Sequence, residues 1–171
     1  MNIRTRKLVE NDIQYLKPVL KQHIRDRDTG EVVENEVEDV ISYMKGAQDA
    51  ESRVRTYYVA EINDKVIGCM AYAEPDKDMR KHFGENSSKS VELLNAFVSV
   101  DHYRGKGVGK MLLKAVLHDT KSKGYEYLLV CSGPRYKQSW GFYDRFFDEN
   151  TGFIKEKYGR DGDAKTWIKK L

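Results

Sequence analysis

Cysteine is scarce in this chain, with only Cys69 and Cys131 among 171 residues. Two are too few for a disulfide framework. Both lie in apolar segments where a buried free thiol is expected, which suits a reducing cytoplasm. Long apolar runs are also missing. No stretch approaches the roughly 18 apolar residues of a membrane span, and Met1 to Lys7 leads straight into mixed polar sequence without a signal core. The expectation is a soluble, unsecreted protein without a membrane partner. Charge of one sign does not dominate either, since 30 basic and 27 acidic residues are interspersed to a net +3. That balance argues against a dedicated nucleic-acid binder. The four histidines, His23, His82, His102 and His118, are dispersed without metal-ligand spacing, so no metal is expected. Repeats and low-complexity tracts are absent. The most linker-like segment is Glu74 to Lys89, with Pro75, Gly84 and many charges. It reads as a long loop within one domain, with a helical turn at Lys77–His82.

What is present fits one domain able to bury a real core. Asn2–Leu8 alternates like a strand. Ile13, Leu16, Leu20 and Ile24 then recur at helical spacing after a cap at Asn11 or Asp12, and Val37, Val40, Ile41 and Met44 mark a second helix closing near Gly46. Pro18 predicts a kink or a late start in the first helix. Thr56–Ile62 and Val66–Ala73 flank Asn63-Asp64 as a β-hairpin. A strand at Val91–Val100 precedes a glycine turn and a helix to about Lys123, with Gly124 as its stop. Tyr125–Cys131 is a further strand, Ser139 to Phe146 a helix, and Gly152–Tyr158 and Ala164–Leu171 close the chain around Gly159–Gly162. A hairpin meander leading into a β-α-β crossover implies a mixed sheet with helices on its faces.

The glycine turn reads Arg104-Gly105-Lys106-Gly107-Val108-Gly109. Glycines on alternate positions leave backbone N–H groups uncovered, and the helix that follows adds unpaired N–H groups and the positive end of its dipole. This is the chain's best candidate for an anion site. Two familiar nucleotide patterns fail on counting: the dinucleotide fingerprint and the NTP-binding loop both require glycine five positions after Gly105, where Lys110 stands.

The spacing that remains, after an apolar strand, strongly resembles the coenzyme A pyrophosphate loop of the GNAT acetyltransferase superfamily. Phe142-Tyr143 in a helix after a strand, Gly152-Phe153 opening the next strand, the C-terminal Trp167-Ile168-Lys169-Lys170-Leu171 and the element order extend the likeness over nearly the whole chain. The resemblance implies an α/β fold with a mixed, mostly antiparallel sheet of six to seven strands. It also implies helices on both faces, a splay between the fourth and fifth strands, and one N-acetyltransferase domain over residues 1–171. Acetyl-CoA is the implied co-substrate. Amide groups of Val108, Gly109, Lys110 and Met111, with Gly105 and Gly107 before them, would hold the pyrophosphate, and Arg104 or Lys106 would add charge. Pantetheine would bond like an extra strand to Val98, Ser99 and Val100.

The implied reaction is acetyl transfer to a primary amine of a small molecule or peptide, by direct attack with both partners bound. Tyr143 is the implied general acid, donating to the departing thiolate. Glu92 is the leading base, directly or through water, since a Glu within an apolar strand invites explanation. Register bears on Glu92, because Val100 lies four positions before Arg104 where the family more often has five. If a bulge absorbs the offset, Glu92 faces the substrate; otherwise Asn95 or Val91 does. His102 reads as a surface residue or phosphate neighbour, and Cys131 as strand burial rather than an acyl carrier.

The chain departs from the family at Tyr136, where Asn is common. Ser139 occupies the position of a usual small residue and stays a pantetheine contact. The stretch from Tyr143 to Gly152 is also long, which predicts an added turn at Arg145–Thr151. Residues expected around an acceptor include the helix pair Ile13–Met44, the Glu74–Lys89 loop, Tyr57, Tyr58, Tyr72 and Trp140, with core packing as the competing role for each aromatic. A non-catalytic acyl-CoA-binding module of the same fold is the alternative, a nucleic-acid binder using its basic loop is a third reading, and a homodimer stays open.

Overall fold

The computed structural model describes residues 2–101, 103 and 105–171. His102 and Arg104 therefore lie outside the described residues, and with them the charge expected from Arg104. Seven strands, β1 (Arg4–Lys7), β2 (Thr56–Ile62), β3 (Lys65–Ala73), β4 (Ser90–Val98), β5 (Tyr127–Ser132), β6 (Glu149–Ile154) and β7 (Ala164–Lys170), form one sheet in the order β1-β2-β3-β4-β5-β7-β6. Among the described residues, five α-helices accompany them: α1 (Ile13–His23), α2 (Glu34–Met44), α3 (Lys77–Phe83), α4 (Val108–Ser122) and α5 (Trp140–Phe146). The β1–β2, β2–β3, β5–β7 and β6–β7 pairs are antiparallel, and β4–β5 is parallel. That parallel ladder pairs Ser90, Val91 and Glu92 with Tyr127, Leu128 and Leu129, while β5 runs on to Ser132 paired with β7. This is the expected mixed sheet with its splay at the fourth and fifth strands.

The chain divides into two compact units, Met1–Ala73 with Leu94–His118 and Glu74–Leu93 with Asp119–Leu171. In the first unit, Asn63 and Asp64 both take left-handed backbone (φ 49° and 61°), which matches the twist of the β2–β3 hairpin. Val66 to Ala73 are all buried, so β3 is covered on both faces. Gly68 is required there: a Cβ would stand 2.8 Å from the Phe97 carbonyl oxygen of β4. α1 buries Ile13, Leu16, Val19 and Leu20, and α2 buries Val37, Val40, Ile41 and Met44, the stripes that helical spacing predicts.

Of the two outcomes expected at Pro18, a kink or a late helix start, the late start is not adopted. α1 begins at Ile13 and runs through the proline, after a single tight turn at Glu10–Asp12. The reason lies upstream, where buried Asp12 accepts hydrogen bonds from the Val9 amide at 2.8 Å and from Arg6 Nη1 and Nη2 at 2.7 and 2.9 Å. The helix entry is thus fixed before the proline is reached.

In the second unit the Glu74–Lys89 stretch is not a loop with one helical turn, because α3 continues into a tight helical segment at Gly84–Lys89. Asp76 caps α3 by accepting from the Met79 amide at 2.8 Å, which starts a helix that its charged composition conceals. The added turn expected at Arg145–Thr151 is also corrected. Arg145 and Phe146 finish α5, and Glu149 to Thr151 belong to β6, whose register shifts between Asn150 and Gly152. Gly152 has φ 90°, so a bulge takes up the extra length. β6 accordingly ends at Ile154, and residues 155–163 form a longer hairpin connection than the turn expected at Gly159–Gly162. Trp167, 1% exposed, stands at the centre of this unit, with the Tyr143 and Trp140 rings at 5.1 and 6.3 Å.

Candidate functional site

In the first unit the glycine turn has the form an anion cradle needs. Gly105 and Gly107 take φ of 75° and 85°, and a Cβ at either would meet nothing within 4 Å, so their backbone lies open. α4 starts at Val108, and the amides of a first helical turn lack acceptors within their own helix. Val108 is buried and anchors the turn, Gly109 is half-buried, and Lys106 and Lys110 are exposed. Met111 differs from expectation, because its amide is already bonded to the Gly107 carbonyl at 3.0 Å. The open glycines and the first amides of α4 could hold an anion such as a pyrophosphate, with Lys106 and Lys110 exposed in the same segment.

The strand segment before it is less open than expected. The Ser99 amide donates to the Ile67 carbonyl at 2.8 Å, the Val100 amide donates to Gln22 Oε1 at 3.0 Å, and the Val98 carbonyl lies 2.7 Å from His23 Nε2. An extra-strand ligand would have to use the remaining backbone groups or displace Gln22 and His23.

The irregularity that the strand spacing calls for sits at Asn95, whose φ is 47° inside β4. Its side-chain oxygen accepts from Tyr57 Oη at 2.7 Å and from Arg55 Nη1 at 2.5 Å, and the Arg55 guanidinium lies 4.0 Å from the centre of the Tyr43 ring. Tyr57 and Tyr72 are buried and Tyr58 partly so.

The second unit holds the acid–base candidates. Glu92 is 1% exposed, and its Oε2 accepts from the Asp76 amide at 3.0 Å. Cys131 Sγ stands 3.8 Å from Glu92 Oε1 and 3.5 Å from the Tyr158 hydroxyl. Burial, and behind it the charge of Glu92, pushes the Cys131 thiol up to about 12. It is a neutral thiol at neutral pH, as an inert strand cysteine should be. Tyr158 is 56% exposed overall, yet the burial of its hydroxyl end, with Cys131 and Glu92 beside it, holds that phenol well above the ordinary tyrosine value. Its ring lies over Gly133, where a Cβ would come within 2.6 Å.

Lys157 completes this cluster, with Nζ 2.5 Å from Asp76 Oδ2 and 3.4 Å from Asp78 Oδ2. Burial works against its charge, but the bond to Asp76 and the fields of Asp76 and Glu92 outweigh it and raise its pKa. Tyr143, 7% exposed in α5, is held above the usual tyrosine range by burial and then by Cys131, with Ser139 pulling partly the other way. Ser139 Oγ itself donates to the Tyr136 carbonyl at 2.7 Å. Trp140 lines a cavity of about 530 Å³ with Phe153, Pro134, Lys155, Asp161 and Asp163.

Glu92 and Cys131 were visible as isolated residues in strands. Asp76, Lys157 and Tyr158 were not, because their partners lie 16 to 81 residues away in sequence. The one local signal was Asp76 itself, a helix cap directly after Pro75. Among the described residues, no group of three or more His, Cys, Asp or Glu side chains could hold a metal ion, and no helix is long and apolar enough to cross a membrane.

The profile of the acetyltransferase (GNAT) family matches residues 21–148. The chain belongs to the GNAT acetyltransferase family. Solved GNAT-type structures share the fold over nearly full length. An N-acetyltransferase from Staphylococcus aureus Mu50 superposes with a TM-score of 0.69 at 16% identity, covering 99% of both chains. The PaiA N-acetyltransferase from Thermoplasma acidophilum, solved with coenzyme A, has a TM-score of 0.66 at 20% identity over 100% of both chains. The ribosomal-protein-alanine N-acetyltransferase from Brucella melitensis has a TM-score of 0.66 at 21% identity over 98% of this chain and 99% of that one. No curated protein matches the sequence. GNAT membership implies acyl-CoA-dependent acetyl transfer, and the acceptor has to be argued separately.

Proposed function

We propose that this protein is an N-acetyltransferase that moves the acetyl group of acetyl-CoA directly to a primary amine. The observation that carries the reading is the buried phenol of Tyr143 in α5, in a GNAT chain that keeps an open glycine cradle. Acetyl-CoA supplies a thioester-activated acyl group. Gly105, Gly107 and the first amides of α4 bind its pyrophosphate, and Lys106 and Lys110 add positive charge. An aliphatic amine has a pKa near about 10.4 and must lose a proton to attack. Glu92 takes that proton, directly or through water, as the new C–N bond forms. Tyr143 gives its proton to the sulfur as the C–S bond breaks. Holding both reactants together supplies much of the remaining rate. Two free cysteines, Cys69 buried and Cys131 half-buried, suit a reducing cytoplasm.

An acetyl-CoA consumption screen over chemically diverse amines tests the activity. With a responsive amine, Tyr143→Phe should lower kcat about 100-fold or more while coenzyme A binding, measured by calorimetry, stays unchanged. Tight coenzyme binding with no turnover across the whole panel would favour the non-catalytic binding module instead.

A further inference from the structure

The hairpin connection 155–163 sends two consecutive residues, Lys157 and Tyr158, to the cluster around Glu92. A lysine side chain only 6% exposed needs a reason, because a buried ammonium is costly unless it is paired. Its main partner, Asp76, makes three connections. The Asp76 carboxylate caps α3 at the Met79 amide and takes the Lys157 ammonium, while the Asp76 backbone N–H holds Glu92 Oε2. A buried carboxyl group, Glu92, held by the amide of a half-buried one, Asp76, would otherwise favour its protonated form. Lys157 is the counter-charge that lets both ionise.

We propose that Lys157 is a positioning residue for Glu92. By anchoring Asp76 it fixes the amide that orients Glu92 Oε2, and its charge keeps the Glu92 carboxylate ionised and ready to accept a proton. The inference rests on Glu92 as the base. The groups that these contacts gather around Glu92 include Asp76 from the start of α3, Cys131 from β5, and Lys157 and Tyr158 from the hairpin, with Asp78 on the far side of Lys157. Cys131 and Tyr158 are neutral at neutral pH, so within this set Lys157 supplies the positive charge.

The test is a pH titration of the full chain labelled with ¹³C at the glutamate carboxyl carbons, the Glu92 signal being the one lost in Glu92→Gln. Lys157→Met should move the Glu92 midpoint up by about one pH unit, and Lys157→Arg should keep it in place. Asp76→Asn removes a like charge and should move it down. A hairpin latch with no electrostatic role would leave the midpoint unmoved, or shift it the same way in Lys157→Met and Asp76→Asn, and either result overturns the proposal. If Lys157→Met does not fold, Lys157→Arg and Asp76→Asn decide, an upward shift in Asp76→Asn being the contrary outcome. Turnover of Glu92→Gln is read separately. Full activity there would remove Glu92 as the base, whereas the titration reports whether Lys157 controls its charge.

Discussion

The glycine cradle of the first unit and the carboxylate cluster of the second are opposite kinds of site. The cradle is backbone, exposed and local, made from consecutive residues whose φ angles and missing Cβ atoms leave amides open. The cluster is side chain, buried and non-local, assembled from α3, β4, β5 and the 155–163 hairpin. A backbone site binds whatever has the right oxygens and can be read from spacing. A side-chain cluster tunes protons and exists only after folding, so substitutions in the two regions should separate binding from turnover.

The largest separation is expected from Gly107→Val. A β-branched residue at φ 85° is strained, and its side chain would fill the open cradle. Coenzyme A affinity should fall about 100-fold by calorimetry, the sum of about 1–3 kcal/mol of backbone strain and lost access to the amides. Next comes Gly133→Ala. The new methyl meets the Tyr158 ring, a side chain that can swing outward, so stability should change by less than about 1 kcal/mol. Tyr158 follows Lys157 in the chain, so moving it loosens the Lys157–Asp76 anchor beside Glu92 and should lower kcat about tenfold with coenzyme affinity intact. Equal losses in both quantities would break the contrast. The smallest effect is electrostatic. Lys106 is exposed, so Lys106→Ala should weaken coenzyme binding only about two- to threefold at low salt, with the difference fading as salt rises. The buried Lys157–Asp76 pair should show little salt dependence.

The same contrast governs what was legible beforehand. The glycine turn at 105–107, the hairpin turn at Asn63-Asp64 and the apolar stripes of α1 and α2 are local patterns, and the structure has each of them. A bulge was named, without a position, as one resolution of a one-residue offset, and β4 takes left-handed backbone at Asn95. Glu74–Lys89 was misread because its charges, proline and glycine look like a linker, while Asp76 starts a helix by a single cap bond. Arg145–Thr151 was misread because a bulge absorbs length without a turn. Lys157 and Tyr158 looked like ordinary strand residues, and only the hairpin's path brings them to Asp76 and Cys131.

That path has a consequence for how the chain tolerates insertions and deletions. Successive residues of an extended strand point to opposite sides, so Lys157 and Tyr158 would normally diverge. They meet the same cluster because the chain turns at Glu156, whose φ is 49° and whose amide is held by Asp163 at 2.9 Å. One residue added between Ile154 and Glu156 would change the phase of both side chains together. The Tyr158 amide bonds back to the Gly162 carbonyl at 3.0 Å, closing the tip as a separate small ring. That ring is tight, since a Cβ at Gly162 would stand 2.5 Å from the Tyr158 carbonyl oxygen, so the hairpin is constrained in phase on its incoming arm and in length at its tip.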